Sequence, residues 1–135
     1  MLAAMKKIIQ ILSLVLPNTS AQILMNLFLR PKRKNRPKKE QAVWDQGEKI
    51  VFAGGIHARL YNPKKERLVI FIHGWSGRGS QFYKFVEALD DYSILLIDGP
   101  AHGDSKGSIT NLPLFAKQVS EVLKVYNERI YAMVG

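Results

Sequence analysis

Apolar residues recur at helical spacing over the first sixteen positions: Leu2, Met5, Ile8, Ile9, Leu12, Val15 and Leu16, with Lys6, Lys7, Gln10 and Ser13 between them. The pattern predicts an amphipathic helix over 1–16. Pro17-Asn18 breaks it, and a second short apolar segment runs from Ile23 to Leu29. After Glu48 the pattern shortens to strands. Lys49–Ala53 and Ile56–Tyr61 flank Gly54-Gly55, and Ile56, Ala58 and Leu60 alternate with His57, Arg59 and Tyr61, which predicts an antiparallel hairpin with His57 on its polar side. Three unbroken apolar runs follow: Leu68–Ile72, Ile94–Ile97 and Ile130–Val134. Unbroken apolarity marks strands buried on both faces, as in a parallel sheet covered by helices. Phe82, Phe85, Val86 and Leu89 make a helical stripe behind Ser80, a candidate N-cap. Leu112, Phe115, Val119, Val122, Leu123 and Tyr126 make another, with Asn111 and Pro113 marking its start. The fold class is therefore α/β, an antiparallel hairpin followed by a parallel βαβαβ unit. Ligand sites in open sheets of this kind lie beyond the carboxyl ends of the strands, which points to the loops after Ile72, Ile97 and Val134.

Charge divides the chain. Residues 1–40 carry nine Lys/Arg against one Glu, a net +8, whereas 41–135 balance to +1. The overall +9 thus belongs to an extension over 1–40, ahead of an α/β domain over 41–135, and a basic nucleic-acid-binding face on the domain is excluded. Seven of the ten residues from Arg30 to Lys39 are basic, and Pro31 and Pro37 keep that run extended. An interfacial helix followed by a polybasic stretch matches proteins that hold an anionic membrane surface. Residues 1–39 are therefore expected to meet such a surface, with the protein cytoplasmic and peripheral at the inner face of the membrane. Other readings stay open: a signal peptide or spanning segment, helices packed on their own domain with a solvated basic linker, and nucleic-acid binding by the tail. With no cysteine in the chain, disulfides, thiol nucleophiles and Cys-based metal sites are out. No cofactor or metal is expected.

The two loops carry the candidate chemistry. The first reads His73-Gly74-Trp75-Ser76-Gly77-Arg78-Gly79 and the second Asp98-Gly99-Pro100-Ala101-His102-Gly103-Asp104-Ser105. With the hairpin before them, they resemble the N-terminal half of the α/β-hydrolase fold family, in which an H-G-x loop follows the third strand and a D-x-P-G-H-G-x-S loop the fourth. The resemblance spans about 48–135, with Ala101 where the family usually has Gly. It implies a serine hydrolase acting on ester or related acyl bonds, with Trp75 giving a backbone N–H to the oxyanion hole and His73 and Gly74 forming the oxyanion loop. Trp75 and Ser76 would face the substrate, a small acyl compound, while Asp98, His102, Gly103 and Ser105 shape the second loop. The family's nucleophile sits in G-x-S-x-G after the fifth strand. Here Gly135 is the first glycine of that elbow, so serine, acid and catalytic histidine are expected beyond it and the chain by itself is expected to be inactive.

Two local alternatives exist. Gly103-Asp104-Ser105-Lys106-Gly107 satisfies G-x-S-x-G literally, but a nucleophile elbow needs strand directly before the serine and helix directly after it, and here six residues separate Asp98, at the strand end, from Ser105. Ser105 is read as turn-forming. A triad of Ser76, His73 and Asp98 can also be written, since triad order is not fixed across folds, though nothing in the spacing requires it. The rival function is a non-catalytic membrane- or partner-binding protein that keeps the half-sheet as scaffold.

Overall fold

The structure is a computed structural model that describes residues 2–135. Met1 and the side chain of Leu2, which the apolar spacing assigns to the first helix, lie outside the described residues. The chain forms two compact units, Met1–Arg30 and Pro31–Gly135. The basic residues from Lys32 to Lys39 lie in the second unit.

The first unit holds α1 (Leu2–Val15) and α2 (Pro17–Phe28). Pro17 does end α1, yet it opens a new helix, because a proline at the first helical position has no N–H that the helix needs. Ser20 is the buried polar residue here, its hydroxyl donating back to the carbonyls of Leu16 and Pro17. Most large apolar side chains of these helices are solvent-facing, including Ile8, Leu14, Val15, Met25 and Phe28. Among the described residues no helix is long and apolar enough to cross a membrane.

The second unit begins with an extended stretch and α3 (Lys38–Gln46), then β1 (Glu48–Phe52), β2 (Ile56–Tyr61), β3 (Leu68–Ile72), a 3₁₀ turn (Gly79–Phe82), α4 (Tyr83–Ala88), β4 (Ser93–Ile97), α5 (Leu112–Val125) and β5 (Ile130–Val134). The sheet order is β1-β2-β4-β3-β5, with β1, β2 and β4 antiparallel in succession and β4, β3 and β5 parallel. Gly54 and Gly55 both take positive φ to close the β1–β2 turn.

The apolar runs are continuous because successive side chains enter different cores. Leu95 and Ile97 of β4 join Ile56, Ala58, Leu60, Leu68 and Ile70 under α5, which contributes Val122. Ile94 and Leu96 point to the other face, with Val69, Phe71 and α3's Val43 and Trp44, and Phe82 and Val86 pack from the α4 side. Helix α3 is absent from the periodicity reading, since its nine residues offer the core little beyond Val43 and Trp44. Asn111 caps α5, its side chain accepting the Leu114 N–H at 2.8 Å. Ser80 does not cap α4. The chain there is first a 3₁₀ turn, Phe82 stands at the cap position, and the Ser80 hydroxyl is used in a polar network.

Candidate active site

Strands β3 and β4 are parallel neighbours, so their carboxyl ends deliver the His73 and Asp98 loops side by side. Each loop hands the other a hydrogen bond. The Gly99 N–H donates to His73 Nε2 at 2.9 Å, and the Ser76 N–H donates to His102 Nε2 at 3.0 Å. The second ring nitrogens face carbonyls: His73 Nδ1 donates to Gly74 O at 2.7 Å and His102 Nδ1 to Pro100 O at 2.9 Å. A carbonyl cannot donate, so both rings are neutral with the proton on Nδ1. Burial pushes the His73 pKa down to about 4, more strongly than its bond to the Gly74 carbonyl raises it, and burial likewise lowers that of His102. With Nε2 engaged on both rings, neither imidazole has a lone pair available to take a proton from a nucleophile.

Asp98 is fully buried and accepts the N–H of Gly79 at 2.7 Å and of Asp104 at 2.8 Å, while Arg36 reaches it at 2.8 Å. Burial raises its pKa, against the pull of those donors. Arg36 also bridges to Asp104 at 2.7 Å, and there the balance reverses. Burial opposes ionisation of Asp104, but Arg36 and the Trp44 indole N–H outweigh it and hold its pKa below the ordinary value. Gly103 has φ +46, and a Cβ there would collide with the Asp98 carboxylate. The loop therefore needs glycine at 103 for two reasons at once.

Two other loop residues adopt positive φ without being glycine: Ser76 at 56° and Ala101 at 62°. Such a conformation costs a non-glycine residue about 1–2 kcal/mol. Ala101 therefore occupies, with some strain, a backbone shape that glycine would take freely.

Ser105 is fully buried. Its hydroxyl donates to the Asp98 carbonyl and accepts the His57 N–H at 2.8 Å, tying the loop to β2. That environment makes it a turn anchor, since its proton is committed to a carbonyl and its oxygen is shut off from solvent. The local triad is not assembled: the Asp98 carboxylate bonds Gly79, Asp104 and Arg36, and the Ser76 hydroxyl accepts the Lys32 N–H at 3.2 Å. His57 lies on β2 half-buried, between the buried Ile56 and Ala58.

An apolar recess of about 180 Å³ opens beside the first loop, lined by His73, Gly74, Trp75, Leu112 and Phe115. Trp75 stands edge-on to His102 at 5.5 Å, with its ring partly exposed. Phe115 packs edge-on against both histidines, at 5.7 Å from His73 and 5.8 Å from His102. Leu112 and Phe115 are additions to the site that helical periodicity counted only as core. The reason is position, since the first turn of α5 overhangs the strand ends.

Comparisons with known proteins point one way. No family model matches the chain. Over 68 residues it is 34% identical to a 2-succinyl-6-hydroxy-2,4-cyclohexadiene-1-carboxylate synthase of Yersinia enterocolitica, a match that covers 50% of this chain and 25% of that protein. Over 87 residues it is 25% identical to a serine hydrolase-like protein of Danio rerio, covering 61% of this chain and 27% of the other. The crystal structure of a candidate lipase from Acinetobacter baumannii AYE superposes with a TM-score of 0.50 at 15% identity, over 70% of this chain and 36% of the other. The chain thus spans about a quarter of the length of the two sequence relatives.

Proposed function

We propose, from the premise that this chain belongs to the α/β-hydrolase fold family, that it supplies the oxyanion-hole half of a serine hydrolase acting on ester or related acyl bonds. The observation that carries this reading is the cross-linked pair of loops, which fixes the Gly74–Ser76 backbone at the mouth of an apolar recess. A backbone donor stabilises a developing oxyanion only if it is held in place before the charge appears, and losing one such donor typically costs about 10²–10³ in rate. In this reading the Trp75 N–H is that donor, and the recess receives the apolar part of the substrate. The nucleophilic serine follows two positions after Gly135, attacks the acyl carbonyl, and gives its proton to a histidine farther along the gene product. The second donor is the N–H of the residue after that serine. Residues 1–135 by themselves are then inactive.

The test is a fluorophosphonate probe on the complete gene product and on residues 1–135, each beside its Ser105→Ala variant. The expected result is stoichiometric labelling of the complete product on a serine in a G-x-S-x-G that begins at Gly135, unaltered by Ser105→Ala, with no labelling of 1–135. Labelling that vanishes in Ser105→Ala would place the nucleophile in the second loop. A complete product that neither labels nor turns over short aryl esters would leave the scaffold reading in its place.

Residues 1–39 are proposed to lie on an anionic membrane surface. The support is the exposure of Ile8, Leu14, Val15, Leu24 and Phe28 on α1 and α2, together with the exposed Lys6, Lys7, Arg30, Lys32, Lys34, Lys38 and Lys39; Arg33 and Arg36 are engaged by the loops. Apolar side chains can enter the acyl boundary while Lys and Arg meet headgroups, each basic residue contributing about 1 kcal/mol near such a surface.

A further inference from the structure

We propose that residues 31–37 form a strap that positions the oxyanion loop, with Arg33 and Arg36 as its positioning residues. The inference rests on the hydrolase reading above and adds what sets the geometry of that site.

Arg33 uses its guanidinium on four backbone carbonyls of the second loop: Nε donates to Ala101 O at 3.2 Å, Nη1 to Gly103 O at 3.1 Å, and Nη2 to Ser105 O and, at 2.8 Å, to Gly107 O. Two of those carbonyls flank His102, the residue whose Nε2 holds the Ser76 N–H. From the other side, the Lys32 N–H donates to the Ser76 hydroxyl. Ser76 is thereby gripped by the strap directly and through His102. This matters because Ser76 sits at positive φ, a shape that persists only where its surroundings over-determine it. Next to it in sequence is Trp75, the proposed donor. Arg36 completes the strap. Its charge lies against buried Asp98, whose other oxygen holds the Gly79 N–H at the far end of the first loop. The guanidinium fork suits both tasks, since five donors in one plane can collect several acceptors, whereas a lysine ammonium cannot reproduce that spread.

A positioning role separates from a merely stabilising one in kinetics. An oxyanion donor acts in the transition state, so loosening it lowers kcat and leaves KM nearly fixed. In the complete gene product, Arg33→Gln should lower kcat on a soluble short-chain aryl ester by about 10–100-fold with KM within about twofold, the range expected when a reacting group is misplaced by a fraction of an ångström to 1 Å. Arg33→Lys keeps the charge and should show the same split with a smaller fall. Lys124→Gln, exposed on α5, should match wild type. Hydrogen exchange at the Trp75 and Ser76 amides supplies a readout free of activity, expected to quicken at least tenfold in both Arg33 variants. Wild-type kcat and exchange in Arg33→Lys would overturn the strap, as would a lowered Tm with kcat unchanged. Absence of ester turnover in the wild type would instead remove the hydrolase reading, and exchange alone would then decide the strap.

Discussion

Leu14 and Trp44 stand thirty residues apart, both ahead of the sheet, and meet opposite environments: Leu14 is 86% exposed and Trp44 1%. The helices of residues 2–28 turn large apolar side chains to solvent. The segment over 31–46 buries Val43 and Trp44 and turns Arg33, Arg36 and Glu40 onto the loops. Arg36 lies 4.4 Å over the Trp44 ring while bonding Asp98 and Asp104, and Glu40 pairs with Arg78 at 2.7 Å. Residues 2–28 carry two lysines and no arginine, whereas 31–46 carry four lysines and two arginines. The kind of basic residue matters as well as the number, because Arg33 and Arg36 hold planar, multi-acceptor positions that a lysine fills poorly.

The comparison can be broken first at Trp44. Trp44→Ala should cost about 3–5 kcal/mol in unfolding free energy, the range for emptying a large aromatic site, read as a fall in the urea midpoint of the sheet's transition. A loss below about 1 kcal/mol, the scale of an ordinary surface change, would mean that α3 is dispensable and the two N-terminal stretches are alike.

Acid sharpens the contrast next. All three histidines lie beyond residue 30, at 57, 73 and 102. Because burial lowers His73 from 6.5 to about 4, the unfolded chain takes up a proton at higher pH than the folded one. Stability is then fully present above pH 6.5 and falls as pH drops towards 4. By pH 5 the loss from this residue should reach about 2 kcal/mol, at about 1.4 kcal/mol per pH unit. Urea midpoints at pH 7 and pH 5 check it, and His73→Gln should flatten the difference. A pH-independent midpoint for the wild type would contradict a neutral, buried His73.

The smallest stability effect belongs to the first helices. Leu14→Gln should change the unfolding free energy by no more than about 0.5 kcal/mol, as exposed positions do. Its effect should appear in sedimentation with anionic vesicles, where losing one inserted leucine, worth about 1.5–3 kcal/mol on full burial, weakens partition roughly tenfold or more. Unchanged sedimentation would remove α1 from the membrane surface.

How much of this was legible in the sequence follows from the range of the forces involved. Strands β3 and β4 were, because burial on both faces writes an unbroken apolar run into four or five neighbouring residues, and Asn111 announced its cap within one turn; β5 shows the same run although Tyr131, Met133 and Val134 are exposed. Ser80 looked like a cap because the sequence places a serine before an apolar stripe, but a 3₁₀ turn intervenes and its hydroxyl goes to Glu40. Of the site, the two loops could be read from their own letters. The strap could not. Nothing local to Arg33 says that its acceptors lie 68–74 residues away, and Val43-Trp44 in a polar stretch was the one hint that this segment touches a core.

That separation has a consequence for the order of assembly. A strap that binds carbonyls of 101–107 cannot dock during synthesis until those residues have emerged, so residues 31–37 wait while about seventy further residues are made. Closing a loop of this length is entropically unfavourable, and contacts of such high sequence separation form late. Until then the four basic residues of the strap are loose beside a loop whose Asp98 lacks its counter-charge. Within residues 31–135 the oxyanion loop should therefore be among the last parts to acquire its native shape, its completion governed by a segment made long before it.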